Sequence, residues 1–288
     1  GDSTYPPRMP DAREEVYKTV GDIKLKLYLF EPEGHRASDK RPTIVFFFGG
    51  GWQHGSPQQF EMLCKYFASR GLVAISADYR VRSRHKIKFA DCIYDAKAAV
   101  RHVRRNAGRL GVDPDRIAAS GASAGGHLAA CTAIVPGFEE DEPSGNDKAG
   151  KVSSAANALI LYCPALVIAP VPEKDLGPEA EEFLSGWNRH CVPYSPYHHI
   201  REELPPTIIF YGTNDKTVPF ATATAFVERM KEMNNRCELV AYEREGHPFL
   251  RKPRLWLDST KRADAFLVSL GYLEGKETAE AFHKAHKR

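Results

Sequence analysis

Ser120-Gly121-Ala122-Ser123-Ala124-Gly125-Gly126-His127 is the stretch on which the reading of this chain turns. It follows a short run of small apolar residues, Ile117-Ala118-Ala119, and precedes Leu128 to Ile134, which reads as helix. A Gly-x-Ser-x-Gly between strand and helix is the pattern of a nucleophile elbow. So tight a turn needs little or no side chain on either side of the serine. Gly121 and Gly125 meet that need, and Gly126 leaves room where helix packs on strand. The serine then stands at the end of the strand with the next backbone N–H facing the same way. Read alone, the letters describe a Gly/Ser-rich turn equally well; the flanks and three further stretches turn the balance.

Composition limits what the surrounding protein is. A length of 288 residues suits one large α/β domain, and 42% apolar with 27% charged residues is ordinary for a globular chain with a sizeable core. A net charge of +3, from 40 basic and 37 acidic side chains, gives no sign of a nucleic-acid partner. No apolar run reaches the length of a membrane span. The start, Gly1-Asp2-Ser3-Thr4-Tyr5-Pro6-Pro7, does not read as a signal peptide. Six cysteines occur without a Cys-x-x-Cys, so their spacing carries no zinc or redox motif. Cys92, Cys131 and Cys163 lie in apolar segments and read as small core residues. Cys64, Cys191 and Cys237 are left as candidates for pairing in an exported protein; the compartment stays open, with a lean to secreted or periplasmic.

Outward from the elbow, strand and helix patterns alternate. Val16 to Phe30 alternates apolar and polar around Gly21-Asp22, which predicts a hairpin at an antiparallel edge. Thr43 to Phe48 and Leu72 to Ala77 are unbroken apolar runs, expected of strands buried on both faces. Helical spacing covers Phe60 to Ser69 and Phe89 to Asn106, the latter with Arg101, Arg104 and Arg105 off its apolar face. Gly111 to Arg116 reads as a turn, and Pro136 to Val152 as a solvated loop. Ala158 to Tyr162, Thr207 to Tyr211 and Cys237 to Tyr242 are further strands, with helices over Phe220 to Met233 and Trp256 to Leu270. The Lys/Glu-rich tail after Gly271 is expected to fray. This alternation predicts a mostly parallel central sheet with helices on both faces. Pro164 to Pro206 holds more than forty residues without a strand, a length uncommon unless functional. It is read as an insertion over the active-site end of a single domain spanning 1–288, with a small helix near Gly177 to Trp187.

Three reactive residue types each follow a strand: Ser123, Asp215 and His247. Parallel strands end at one sheet edge, and ligands bind in the crevice outside it, so side chains 92 and 32 residues apart converge there. The chain order Ser, Asp, His is that of α/β-hydrolases. A serine hydroxyl is a weak nucleophile until a base takes its proton, and imidazole suits that task near neutral pH. His247 is the candidate base and Asp215 the residue that fixes its tautomer. Gly49-Gly50-Gly51, ending the Phe48 strand, offers unobstructed N–H groups; Gly50, Gly51 and Ala124 are the candidate donors to a tetrahedral oxyanion. Rival readings make the triple glycine only a tight turn, and Asp258 or Glu243 the acid. His54, His190, His198 and His199 lack the spacing and neighbouring carboxylates of a metal site, so no metal or cofactor is expected. No Gly-Lys-Ser/Thr follows the glycines, which removes a phosphate loop.

The chain resembles the α/β-hydrolase serine esterases of the hormone-sensitive-lipase and Aes acetyl-esterase type, including acetyl-xylan and feruloyl esterase relatives. The resemblance rests on Phe48-Gly49-Gly50-Gly51-Trp52, Asp78-Tyr79-Arg80, Asp113-Pro114-Asp115-Arg116-Ile117, Gly121-Ala122-Ser123-Ala124-Gly125-Gly126, Ser195-Pro196, Gly212-Thr213-Asn214-Asp215 and Gly246-His247. Two positions depart from the family. Phe48 stands where a histidine usually precedes the glycines, so other packing must hold that loop. Ala122 replaces an acid, which moves the likeness toward the carbohydrate-esterase side. The resemblance implies a cofactor-independent hydrolase of short acyl esters, acetyl-type, on a small-molecule or carbohydrate alcohol. Trp52 and Trp187 are the candidate pocket walls, with Tyr194 and Tyr197 as further aromatics of the insertion. A peptidase or amidase of the same fold is the alternative, and a silent binding module of this fold a third.

Overall fold

The computed structural model describes residues 4–139 and 152–286. Its first elements are β1 (Arg13–Val20) and β2 (Ile23–Phe30), an antiparallel hairpin turned at Gly21. β1 is exposed or half-buried throughout, as the edge of a sheet should be, while β2 buries Leu25, Leu27 and Tyr28 through Phe30. β3 (Arg41–Phe47) is buried from Pro42 onward, and α1 (Glu61–Ser69) crosses to β4 (Val73–Ala77), which is buried at every residue. α2 (Phe89–Arg105) and the short α3 (Ala107–Leu110) return to β5 (Val112–Ala122). α4 (Ala124–Ala133) follows, then β6 (Ala158–Tyr162), α5 (Pro178–Ser185), β7 (Thr207–Gly212), α6 (Phe220–Glu232) and β8 (Cys237–Tyr242). α7 (Pro253–Ser269) and α8 (Ala279–Ala285) close the chain.

The strands form one sheet in the order β1-β2-β4-β3-β5-β6-β7-β8, parallel from β4 to β8. This is the mostly parallel sheet that the alternation predicts, in the α/β-hydrolase architecture that the resemblance implies. The order reverses at β3: the next strand, β4, lies on one side of it and β5 on the other. Loops leaving β3 and β5 therefore part in opposite directions and open a crevice between them. The triple glycine and Ser123 are the residues that leave those two strands.

The structure departs from the sequence expectations at 113–116 and in the tail, and it leaves the cysteines unpaired. The segment 113–116 is not a free turn but a bulge inside β5, because Arg41 pairs with Val112 and Thr43 with Ile117. The tail is not frayed: α8 buries Ala279 and Phe282, and the Phe282 ring packs edge-on to Tyr66 with centroids 5.4 Å apart. None of the six cysteines is paired: of the three left as candidates, Cys64 and Cys237 are buried free thiols and Cys191 is a half-buried one. The expected loop at Pro136 to Val152 lies mostly outside the described residues. Among those residues, no helix is long and apolar enough to cross a membrane.

The polar face of α2 also differs from a solvated one. Asp95 is fully buried and accepts hydrogen bonds from Arg80 Nε and Nη2 at 2.8 Å and from Lys18 Nζ at 2.6 Å. It ties the β1 edge and the loop after β4 to one helix. Lys97, also buried, donates to the carbonyls of Val135 and Gly137, and burial lowers its pKa to about 8. Removing one partner of a buried ion pair strands the others without counter-charge. Asp95→Ala is expected to lower stability by about 3–5 kcal/mol in a urea titration, far more than an exposed carboxylate would.

Candidate active site

Ser123 occupies the turn between β5 and α4 with φ 55° and ψ −118°, a strained conformation for a residue with a side chain. Two glycines make that turn possible. A Cβ on Gly125 would stand 1.9 Å from the Phe47 carbonyl oxygen, and one on Gly121 would stand 2.4 Å from the carbonyl oxygen of Gly125. No side chain fits at either point, which is the physical content of the motif.

The structure brings Ser123, His247 and Asp215 together. Ser123 Oγ lies 2.8 Å from His247 Nε2, and His247 Nδ1 lies 2.6 Å from Asp215 Oδ2. A carboxylate only accepts, so Nδ1 carries a proton, and in the neutral ring the Nε2 lone pair then faces the serine hydroxyl. Asp215 is itself fixed, its other oxygen accepting the N–H groups of Thr217 and Val218 at 2.9 Å each. The rival acids are elsewhere: Asp258 accepts from the Tyr242 hydroxyl and Arg262, and Glu243 is exposed. Burial works against a charged His247 ring, but the Asp215 carboxylate, with the Cys163 sulfur beside it, prevails and raises its pKa above the ordinary value.

Gly49, which opens the triple glycine, lies against the elbow, where a Cβ would be 3.5 Å from the Ser123 Cβ. The Gly49 N–H is taken by Gln59 Oε1 at 2.8 Å and that of Ser123 by the Tyr162 carbonyl at 2.9 Å. The N–H groups of Gly50, Gly51 and Ala124 have no acceptor among the described residues. Gly50 and Gly51 have φ of 140° and 61°, so the loop folds where L side chains rarely go. Phe48, in the position usually held by histidine, stacks on Tyr79 with ring centroids 4.1 Å apart, and the Tyr79 hydroxyl donates to the Phe48 carbonyl at 2.7 Å. That buried aromatic pair is the packing that holds the loop in place of a histidine.

Trp52 and Trp187 both line a cavity of about 350 Å³ beside Gly51, joined by Ile87 and Phe89. Their rings meet edge to face at 5.7 Å. Gln53 and Arg82 are the polar residues of its wall. Tyr194 is not on it; its ring packs against Phe89 and Phe138, while its carbonyl holds His127. His127, fully buried, accepts from Trp52 Nε1 at 3.2 Å through Nδ1 and donates through Nε2 to Tyr194 at 2.7 Å. Burial lowers its pKa to about 4, so it stays neutral and fixes the Trp52 ring. His198 and His199 bond to backbone carbonyls of Pro170 and Val192. Gln59, Tyr79, Phe89 and His127 were not singled out in the sequence for these roles. Two carried a signal: Tyr79 stands in the Asp78-Tyr79-Arg80 match, and His127 lies one turn of helix after Ser123.

A family model, BD-FAE, matches residues 27–230. The chain belongs to the BD-FAE family. Other matches agree with an esterase assignment. Over 94% of its length and 99% of the other chain, this family member is 50% identical to Thermogutta terrifontis esterase 2 phosphonylated by sarin, with a TM-score of 0.87. The butyrate-bound form of that esterase covers 96% of the chain and 100% of its own at 48% identity and a TM-score of 0.85. Esterase LipC of Mycobacterium tuberculosis is 30% identical across 67% of the chain and 49% of LipC. The chain spans about half the length of the curated relatives it matches. By fold and by relatives, this BD-FAE member sits among carboxylic-ester hydrolases.

The electrostatics of the histidine give a direct check. Asp215→Asn removes the charge that opposes burial, so the His247 pKa is expected to fall by more than about one pH unit in an NMR titration. An unchanged value would mean that the carboxylate does not act on the ring.

Proposed function

We propose that the chain hydrolyses short-chain acyl esters through an acyl-enzyme on Ser123. The observation that carries this reading is the chain of contacts from Ser123 Oγ to His247 Nε2 (2.8 Å) and from Nδ1 to Asp215 (2.6 Å), beside N–H groups without acceptors. His247 takes the serine proton as the hydroxyl attacks the ester carbonyl, then returns it to the leaving alcohol. Asp215 holds the ring and stabilises the imidazolium. Gly50, Gly51 and Ala124 donate to the oxyanion, where losing one donor typically costs about 100- to 1,000-fold in rate. Water, activated by His247 in turn, releases the acid. Since His247 must be neutral to accept the proton, activity falls as pH drops through its pKa.

The acyl group in this reading is acetyl- to butyryl-sized, which the butyrate-bound neighbour supports. Phosphonylation of that neighbour by sarin supports a nucleophile open to small electrophiles. The alcohol part carries a ring, sugar or aryl, for which the Trp52–Phe89–Trp187 wall offers apolar faces. An acetylated carbohydrate is the first substrate class to assay.

Ser123→Ala is expected to reduce p-nitrophenyl acetate hydrolysis by at least about 10,000-fold with the fold intact. Activity surviving that change would discard the mechanism. Trp187→Ala should raise KM for acetylated sugars or aryl acetates by about tenfold while leaving ethyl acetate nearly unaffected. An equal loss on both would remove Trp187 from the alcohol site. A chromogenic dipeptide panel run beside the esters is expected to show no comparable turnover; preference for amides would replace this reading with a peptidase.

A further inference from the structure

The end of β6 brings a third ligating side chain to the His247–Asp215 pair. Cys163 follows that strand with φ 38°, a left-handed backbone uncommon for a residue with a Cβ. Its N–H donates to the Phe210 carbonyl at 2.8 Å, which pins it to β7. The Cys163 sulfur, a ring nitrogen of His247 and a carboxylate oxygen of Asp215 all lie within 4.8 Å of one another. No other group of His, Cys, Asp and Glu among the described residues comes together in this way. A buried cysteine is ordinarily a small apolar filler. Cys163 is buried, but its sulfur sits beside an imidazole and a carboxylate, and it contributes to keeping the His247 proton bound.

We propose that Cys163, Asp215 and His247 form an inhibitory site for a thiophilic divalent cation of the Zn²⁺ or Cd²⁺ kind. Sulfur, nitrogen and oxygen are the donors zinc takes, at about 2.3, 2.0–2.1 and 2.0–2.2 Å, and three protein ligands leave a fourth position for water. Donors at such bond lengths around a tetrahedral ion are roughly 3.3–3.7 Å apart. To reach that spacing the sulfur closes on the other two donors by at most about an ångström while the 2.6 Å His247–Asp215 contact opens by somewhat less, movements that side-chain rotation supplies. Thiolate and carboxylate together offset the charge of the ion. Binding releases the thiol proton to solvent and takes the Nδ1 position, so the ring proton held toward Asp215 moves to Nε2, and affinity rises with pH. A ring held by the cation cannot receive the Ser123 proton, and hydrolysis stops until a chelator removes the ion. Only this last consequence rests on the esterase reading; the binding itself does not.

Cd²⁺ titration of the wild-type chain, followed by thiolate-to-metal charge-transfer absorption and by p-nitrophenyl acetate hydrolysis, tests the proposal. One equivalent is expected to produce the absorption and abolish hydrolysis, with EDTA reversing both. Cys163→Ser, and Cys163→Ala as a second variant, should lack the absorption and need at least about tenfold more Cd²⁺ for half-inhibition. Ser123→Ala should bind Cd²⁺ as the wild type does, which keeps the site testable even if the esterase reading fails. Absorption that persists in both Cys163 variants, or that disappears instead in Cys191→Ser, overturns the proposal. So does a wild-type chain that shows no absorption at all.

Discussion

The contact on which the site depends is the approach of the β5–α4 turn to the end of β3. The α-carbon of Gly125 comes so near the Phe47 carbonyl that a Cβ there would stand 1.9 Å from the oxygen. Because nothing projects from that position, the elbow seats directly on the neighbouring strand's end. The same closeness sets Gly49 against the turn, where an added Cβ would be 3.5 Å from the Ser123 Cβ. Serine and triple glycine are thus neighbours through backbone packing, before any polar contact is made. The parallel strands β6 to β8 then bring Cys163, Asp215 and His247 to the same edge.

Buried polar groups hold this arrangement still. The Tyr79 hydroxyl on the Phe48 carbonyl and the Gln59 amide on the Gly49 N–H fix the loop after β3 from both sides. His127, kept neutral by burial, fixes Trp52 at the cavity wall. Asp95 binds the β1 edge and the segment after β4 to α2. Each of these satisfied groups stiffens a loop that would otherwise be free to reorient, and donors aimed in advance need no rearrangement as charge develops.

Much of this was legible in the residues. Thr43 to Phe48 and Leu72 to Ala77 read as buried strands because their apolar runs are unbroken, and the hairpin before them because it alternates. Ser123, Asp215 and His247 stood out because each follows a strand, and parallel strands share an edge. What periodicity does not encode are contacts made across the chain. The buried charges on α2 carry no signal in its helical spacing because their partners, Lys18, Arg80 and the carbonyls of Val135 and Gly137, lie on other elements. The tail looked free because its charged letters hide Phe282, whose partners Tyr66 and Trp256 are distant in sequence. Cys163 read as core filler because composition around it is apolar; only the fold sets its sulfur beside His247.

The central claim is that Ser123 is the residue that becomes acylated. Peptide mapping by mass spectrometry after treatment with a fluorophosphonate measures this directly. The account predicts a single stoichiometric adduct on the peptide carrying Ser123, forming more slowly as pH falls and His247 becomes protonated. An adduct on another residue, or no adduct on a folded chain, would contradict it.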